Sequence, residues 1–136
     1  MSHDDSTIFI IEDDASVRRA LGRVMTQAGF TWAAYDSAEA FLAVVKATDR
    51  GCIVADMTMP GLSVTAVRIS LDSSCAHLPL IFLTGEDSEE SRAAARGAGA
   101  AAYFRKPVDI HALLDAIQWA IHGGSGTESP RPGPAT

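Results

Sequence analysis

The sequence has little that would build a metal cage, cross a bilayer or bind a nucleic acid. Its two cysteines are Cys52, inside an apolar run, and Cys75, in a loop-like stretch. Without metal-ligand spacing they exclude a zinc framework, and they read as reduced thiols of a cytoplasmic protein. His3, His77, His111 and His122 show no convergent spacing either, so solvent-facing or capping roles are expected of them. No apolar run approaches the ~20 residues that a membrane helix needs. The opening Met1-Ser2-His3-Asp4-Asp5 lacks the charged-then-apolar pattern of an export signal, and a soluble protein is the expectation. Acidic residues outnumber basic ones by 17 to 11, a net charge of −6, which argues against a nucleic-acid surface because phosphate binding needs clustered Lys and Arg. Arg18, Arg19 and Arg23 do cluster on one predicted helix, and they read as its solvated face. A dinucleotide-binding enzyme is excluded by the lack of a Gly-rich turn after the first strand. No internal repeat is visible.

What is present is an alternation. The 136 residues suffice for one domain with a real core. Ile8 to Ile11 reads as a strand, after which Asp14 can cap a helix running to about Ala28. Val17, Leu21, Val24, Met25 and Ala28 share one side of that helix, and Gly29 stops it. Phe30 to Tyr35 is a second strand, and Asp36-Ser37-Ala38-Glu39 opens a helix toward Lys46. Gly51 to Ala55 is a third strand, followed by a Pro60-Gly61 loop. Val64 to Leu71 forms a weaker helix diluted by β-branched residues. Pro79 to Leu83 is the fourth strand, and Asp87-Ser88-Glu89-Glu90 opens a helix ending near Gly97. Ala101 to Arg105 is the fifth strand. Asp109 caps the last helix, with Ile110, Leu113, Leu114, Ile117 and Ile121 on one stripe and Gly123-Gly124 as its stop. Strict β/α alternation implies an α/β fold, a parallel five-stranded sheet doubly wound with helices on both faces. Residues 1–6 form a lead, 7–122 the domain, and 123–136 a Gly/Ser/Pro-rich tail expected to be disordered.

The chemistry sits at the strand ends. The first strand ends on Glu12-Asp13-Asp14, the third on Asp56, the fourth on Thr84-Gly85 and the fifth on Lys106-Pro107. In an open parallel sheet these C-terminal tips converge on the ligand crevice. Taken singly, the acids could be mere helix caps, as Asp14 is read here, and Lys106 a solvated lysine. Their order along successive strands favours one site.

With Met57-Thr58-Met59-Pro60-Gly61 after Asp56, this set resembles the receiver domain of two-component response regulators, over roughly residues 7 to 121. The resemblance implies the flavodoxin-like strand order 2-1-3-4-5 and a role as a phosphorylation-switched module of the kind seen in stand-alone chemotaxis receivers. Asp56 would take a phosphoryl group from the phosphohistidine of a sensor histidine kinase or phosphotransfer protein. Cancelling the repulsion between carboxylate and phosphoryl calls for a hard cation, Mg²⁺ or Mn²⁺. Asp13 would hold it directly, Glu12 through water, Asp56 with one oxygen and Thr58 with its backbone carbonyl. Lys106 and Thr84 would meet the phosphoryl oxygens, as transfers of this kind rely on positioning and electrostatics. Pro107 would follow a cis peptide. Thr84, drawn inward on phosphorylation, would let Tyr103 follow and alter the face made by the fourth predicted helix, fifth strand and fifth helix. The fourth helix, with Ala93, Ala94 and Ala95, has little apolar area to hold it.

Two positions depart from the family pattern: Val64 stands where a Gly is usual, and Thr65 where an apolar residue is. Val64 alone motivates a competing expectation, a pseudo-receiver that binds partners without being phosphorylated, and the complete set of acids, Thr84 and Lys106 opposes it. A third class, the Asp-nucleophile phosphatase, typically carries a second Asp two residues on, where this chain has Thr58. Thr58 and Glu86 occupy positions that tune aspartyl-phosphate lifetime in the family. No output domain is recognisable, so the expectation is a stand-alone receiver, a possible homodimer, or one cut from a longer regulator. Trp119 lies opposite the last helix's large-residue stripe, flanked by Ala112 and Ala116. It is expected either to dock a partner or to be a scattered exposed aromatic.

Overall fold

The runs around Ile10, Val54 and Phe82 are apolar at successive positions rather than alternate ones, so each needs cover on both faces. A computed structural model, describing residues 6–56, 73–75, 77–86 and 88–122, shows that cover. The strands are β1 (Thr7–Ile11), β2 (Thr31–Tyr35), β3 (Gly51–Asp56), β4 (Leu80–Thr84) and β5 (Ala102–Arg105). The helices are α1 (Ala15–Gln27), α2 (Ala38–Leu42), α3 (Glu89–Gly97) and α4 (Ile110–Ile121). α3 and α4 are the fourth and fifth helices expected from the sequence. The helix expected over Val64 to Leu71, the lead up to Asp5 and the tail from Gly123 lie outside the described residues.

All strands are parallel, in the order β2-β1-β3-β4-β5 that the resemblance implied. One face buries Phe9, Ile11, Ile53, Ala55 and Phe82 against Phe41 of α2 and Ala95 of α3. The other buries Ile8, Ile10, Cys52, Val54, Ile81 and Leu83 against Leu21 and Met25 of α1 and Leu113 and Ile117 of α4. Alternate residues of each strand thus feed separate cores. Burial pushes the Cys52 thiol up to about 12, and neither Cys52 nor Cys75 forms a disulfide.

Side-chain caps start the described helices, at Asp14 and Asp109 as expected and at Ser37 and Ser88 within the expected opening segments. Asp14, Ser37, Ser88 and Asp109 accept from backbone N–H groups one turn on. Gly29, at φ 89°, ends α1. Gly51 opens β3 at φ 138°, where a Cβ would lie 1.8 Å from the Thr7 carbonyl oxygen; only glycine fits that approach.

Two expectations are corrected. α2 stops at Leu42 rather than running toward Lys46. The Asp49 carboxylate accepts from the Lys46 backbone N–H at 2.8 Å, a tie that replaces continued helix. On α4, Ala116 and Ala120 are buried while Ile110 is 37% exposed. The buried face takes in Leu113 and Ile117 of the large-residue stripe together with Ala116 and Ala120, so it extends to the side expected to face outward. Trp119 therefore packs against the core as a partly buried side chain, not as the centre of an outward patch. Of the histidines, His3 lies outside the described residues; His122 Nδ1 meets the Gln118 carbonyl at 2.8 Å, His77 Nε2 bonds the Asp49 carbonyl, and His111 is exposed. Among the described residues no helix is long and apolar enough to cross a membrane.

Candidate functional site

The parallel sheet carries its C-terminal strand ends to one edge, where β1 and β3 lie side by side with Ile11 opposite Ala55. Glu12 follows β1 directly, and Asp56 is the last residue of β3. Both carboxylates are buried, Glu12 at 1% exposure and Asp56 at 3%. Asp13 is exposed, yet ligand oxygens of Glu12, Asp13 and Asp56 all lie within 4.8 Å of one another. Lys106 follows β5 directly, and its backbone N–H extends the β4–β5 ladder by donating to the Thr84 carbonyl at 2.7 Å. Its Nζ donates to Asp56 Oδ2 at 2.8 Å and stands 3.6 Å from Glu12 Oε1. The peptide joining Lys106 to Pro107 is cis.

Two buried carboxylates, Glu12 and Asp56, share the Lys106 ammonium, and the crowding shows in the protonation of Glu12. Burial, followed by a hydrogen bond shared with Asp56, pushes the Glu12 carboxyl up to about 7. Burial works against the charge on Lys106, but the Asp56 and Glu12 carboxylates outweigh it and hold the ammonium above its usual value. Glu12 Oε2 accepts from the Asp14 N–H at 3.1 Å. Glu12 Oε1 is buried without a hydrogen-bond partner, and buried polar atoms in native proteins rarely go unsatisfied. Surplus negative charge, an orphaned carboxylate oxygen and an all-oxygen donor set fit a hard divalent cation such as Mg²⁺ or Mn²⁺.

Thr84 ends β4, one residue beyond the Asp56–Leu83 pair. It is buried, and its hydroxyl is turned into its own loop. Oγ1 donates to the Glu86 carbonyl at 2.9 Å and accepts from the Glu86 N–H at 3.0 Å. Glu12, Asp13, Asp56 and Lys106 are thus brought together, while Thr84 stands at the adjoining tip with its hydroxyl engaged elsewhere. Thr58, expected to offer a backbone carbonyl, lies outside the described residues, as do Val64 and Thr65. Sequence reasoning missed Arg18. Rather than standing on a solvated face with the exposed Arg19 and Arg23, it is half-buried and donates from Nη1 to the Glu12 carbonyl at 2.8 Å.

A family model described as the response regulator receiver domain matches residues 8–118. The chain belongs to this family. It is 34% identical over 114 residues to the transcriptional regulatory protein FixJ of Azorhizobium caulinodans, covering 84% of this chain and 54% of FixJ. It is 33% identical over 121 residues to the response regulator protein TodT of Pseudomonas putida, covering 89% of this chain and 53% of TodT. The chain therefore spans about half the length of the curated relatives it matches. Among solved structures, the response regulator StyR matches with a TM-score of 0.77 at 32% identity, covering 87% of this chain and 60% of StyR. FixJ-N matches with a TM-score of 0.72 at 29% identity, covering 90% of this chain and 98% of FixJ-N. As a receiver domain, the chain is a component of two-component signalling, and its acidic cluster lies where strand ends of such a sheet gather ligands.

Proposed function

We propose that Asp56 accepts a phosphoryl group from the phosphohistidine of a sensor histidine kinase or phosphotransfer protein, and that the acyl phosphate switches a partner-binding face. The observation that carries this reading is the Lys106 ammonium 2.8 Å from Asp56 Oδ2, with oxygens of Glu12 and Asp13 within 4.8 Å of the same carboxylate. One Asp56 oxygen attacks phosphorus, the P–N bond breaks, and its electron pair returns to the donor imidazole, which takes up a proton. Glu12, Asp13 and Asp56, with the Thr58 carbonyl, would hold the cation. Bound there, Mg²⁺ or Mn²⁺ supplies charge neutralisation for an anion attacking an anion. Lys106, already directed at Asp56, stabilises charge on the transferring oxygens, and the site contributes mainly orientation and electrostatics. Water later hydrolyses the acyl phosphate, so the chain acts on no separate substrate and is not an enzyme in the usual sense.

The Thr84 hydroxyl is the hinge of the switch. A phosphoryl oxygen on Asp56 competes with the Glu86 carbonyl for it. Tyr103, partly buried beside the first core, then moves, altering the face made by α3, β5 and α4, where the downstream protein partner docks. The setting is the cytoplasm, where Cys52 and Cys75 stay reduced.

Intact mass after incubation with acetyl phosphate and Mg²⁺ tests the assignment. Wild type gains one phosphoryl group, and Asp56→Asn gains none. An adduct on both proteins, or on neither, would falsify the role of Asp56.

A further inference from the structure

β1 ends at Ile11, and the backbone N–H of Glu12 extends its ladder by donating to the Tyr35 carbonyl at 2.9 Å. There the chain leaves the sheet, and among the described residues no backbone N–H is a donor to the Glu12 carbonyl. Arg18, in the second turn of α1, reaches back six residues and supplies one, Nη1 to oxygen at 2.8 Å. Glu12 Oε2 is held by the Asp14 N–H at 3.1 Å. The atom left over is Oε1, 3.6 Å from the Lys106 ammonium. Because the peptide unit is planar, fixing the Glu12 carbonyl also fixes the plane that leads into Asp13. A single guanidinium thus governs how a buried carboxylate and an exposed one diverge from adjacent residues and still bring oxygens within 4.8 Å of Asp56.

We propose that Arg18 is a positioning residue for this acid pair, holding the Glu12–Asp13 peptide so that both carboxylates converge on a divalent cation. The proposal rests on the cation reading given above. Its sign separates it from a charge effect. A cation beside a metal site repels the metal, so a purely electrostatic Arg18 would weaken binding, and its removal would tighten it. A positioning Arg18 strengthens binding, and its removal loosens it. Groups that hydrogen-bond to metal-ligating residues are commonly worth ten- to a hundredfold in metal affinity. Arginine also suits the place because its guanidinium stays charged and offers several donors in a rigid, planar fork.

The test is calorimetric titration of Mg²⁺ into the full chain. Arg18→Met keeps the aliphatic stem and removes the donors, Arg18→Lys returns one donor and the charge, and Arg23→Ala is the control from an exposed position of the same helix. Binding is expected to fall about tenfold in Arg18→Met, to recover at least in part in Arg18→Lys, and to stay at the wild-type value in Arg23→Ala. Under acetyl phosphate, the loss in Arg18→Met appears in the Mg²⁺ concentration giving half the maximal phosphorylation rate more than in the plateau rate. Equal or tighter Mg²⁺ binding by Arg18→Met, or no recovery in Arg18→Lys, overturns the proposal. Wild type that does not bind Mg²⁺, or Glu12→Gln binding as wild type does, overturns the cation reading and this proposal with it. Normal binding by wild type, loss in Glu12→Gln and no loss in Arg18→Met removes the role of Arg18 alone.

Discussion

Raising the pH of the metal-free protein should destabilise it, through Glu12. This carboxyl titrates near 4.5 when unfolded and at about 7 in the fold, because burial and the neighbouring Asp56 disfavour its charge. Between those values the unfolded chain releases its proton while the folded one retains it, so unfolding gains as pH rises. The stabilising contribution is complete below about pH 4.5, is lost through the window to about pH 7, and changes no further above it. The full gap corresponds to about 3 kcal/mol; discounting it for the solvent-reached mouth beside Lys106 leaves ~2 kcal/mol. Lys106 does not interfere, since its raised value places its own titration above this window. For a domain of this size ~2 kcal/mol corresponds to a fall of about 8 °C in Tm. The assay is thermal unfolding in EDTA from pH 4.5 to 8, for wild type and Glu12→Gln. The neutral amide should flatten this part of the profile and leave the variant the more stable at pH 8. Mg²⁺ at pH 8 should restore wild type, because a ligand that binds only the folded state stabilises it. A wild-type Tm that holds or rises through the window, or an equal fall in Glu12→Gln, would refute the reasoning.

Other perturbations reach other parts of the structure. Lys106→Ala leaves two buried carboxylates without their ammonium; it should lose ~3 kcal/mol in metal-free urea unfolding and slow phosphorylation by acetyl phosphate about a hundredfold. Unchanged stability together with an unchanged rate would remove Lys106 from the site. Thr84→Ala leaves the Glu86 N–H without its acceptor and should cost about 1 kcal/mol in urea unfolding. It should still take up phosphate while the NMR shift of Tyr103 on phosphorylation shrinks; a wild-type shift would dismiss Thr84 as the hinge. A Cβ on Gly22 would meet the Trp32 ring at 2.3 Å, so Gly22→Ala should lose ~1–2 kcal/mol despite its better helix propensity. In a Trp32→Ala background the same substitution should stabilise, and a gain in the wild-type background would show that the ring yields freely.

The strand ends were legible because parallel strands covered on both faces read as continuous apolar runs. A run such as Cys52 to Ala55 halts at a carboxylate with no gradual transition. Caps were legible for a similarly local reason: Asp14, Ser37, Ser88 and Asp109 satisfy N–H groups only one turn away. What was not legible depends on distance. The end of α2 is set by Asp49, whose carboxylate turns back to the Lys46 N–H, and no periodicity records such a tie. Trp119 was misplaced because hydrophobic size was taken to mark the buried face. The buried face is wider than the stripe: it spans Ala116 and Ala120 as well as Leu113 and Ile117. Arg18 escaped because its partner is a backbone carbonyl rather than an acid. A signal does exist in an arginine of the first helix turns after an acid-terminated strand, once the orphan carbonyl at the strand end is counted.

Reduction of the phosphorylated protein with borohydride bears most directly on the central claim. An acyl phosphate is reduced to the alcohol, which converts the aspartate that carried it into homoserine, and peptide sequencing by mass spectrometry then locates it. With acetyl phosphate and Mg²⁺ present, homoserine is expected at position 56 and nowhere else, and it should vanish when either is withheld. Homoserine at Asp13 or another acid, or a phosphorylated protein in which position 56 remains aspartate, would contradict the account.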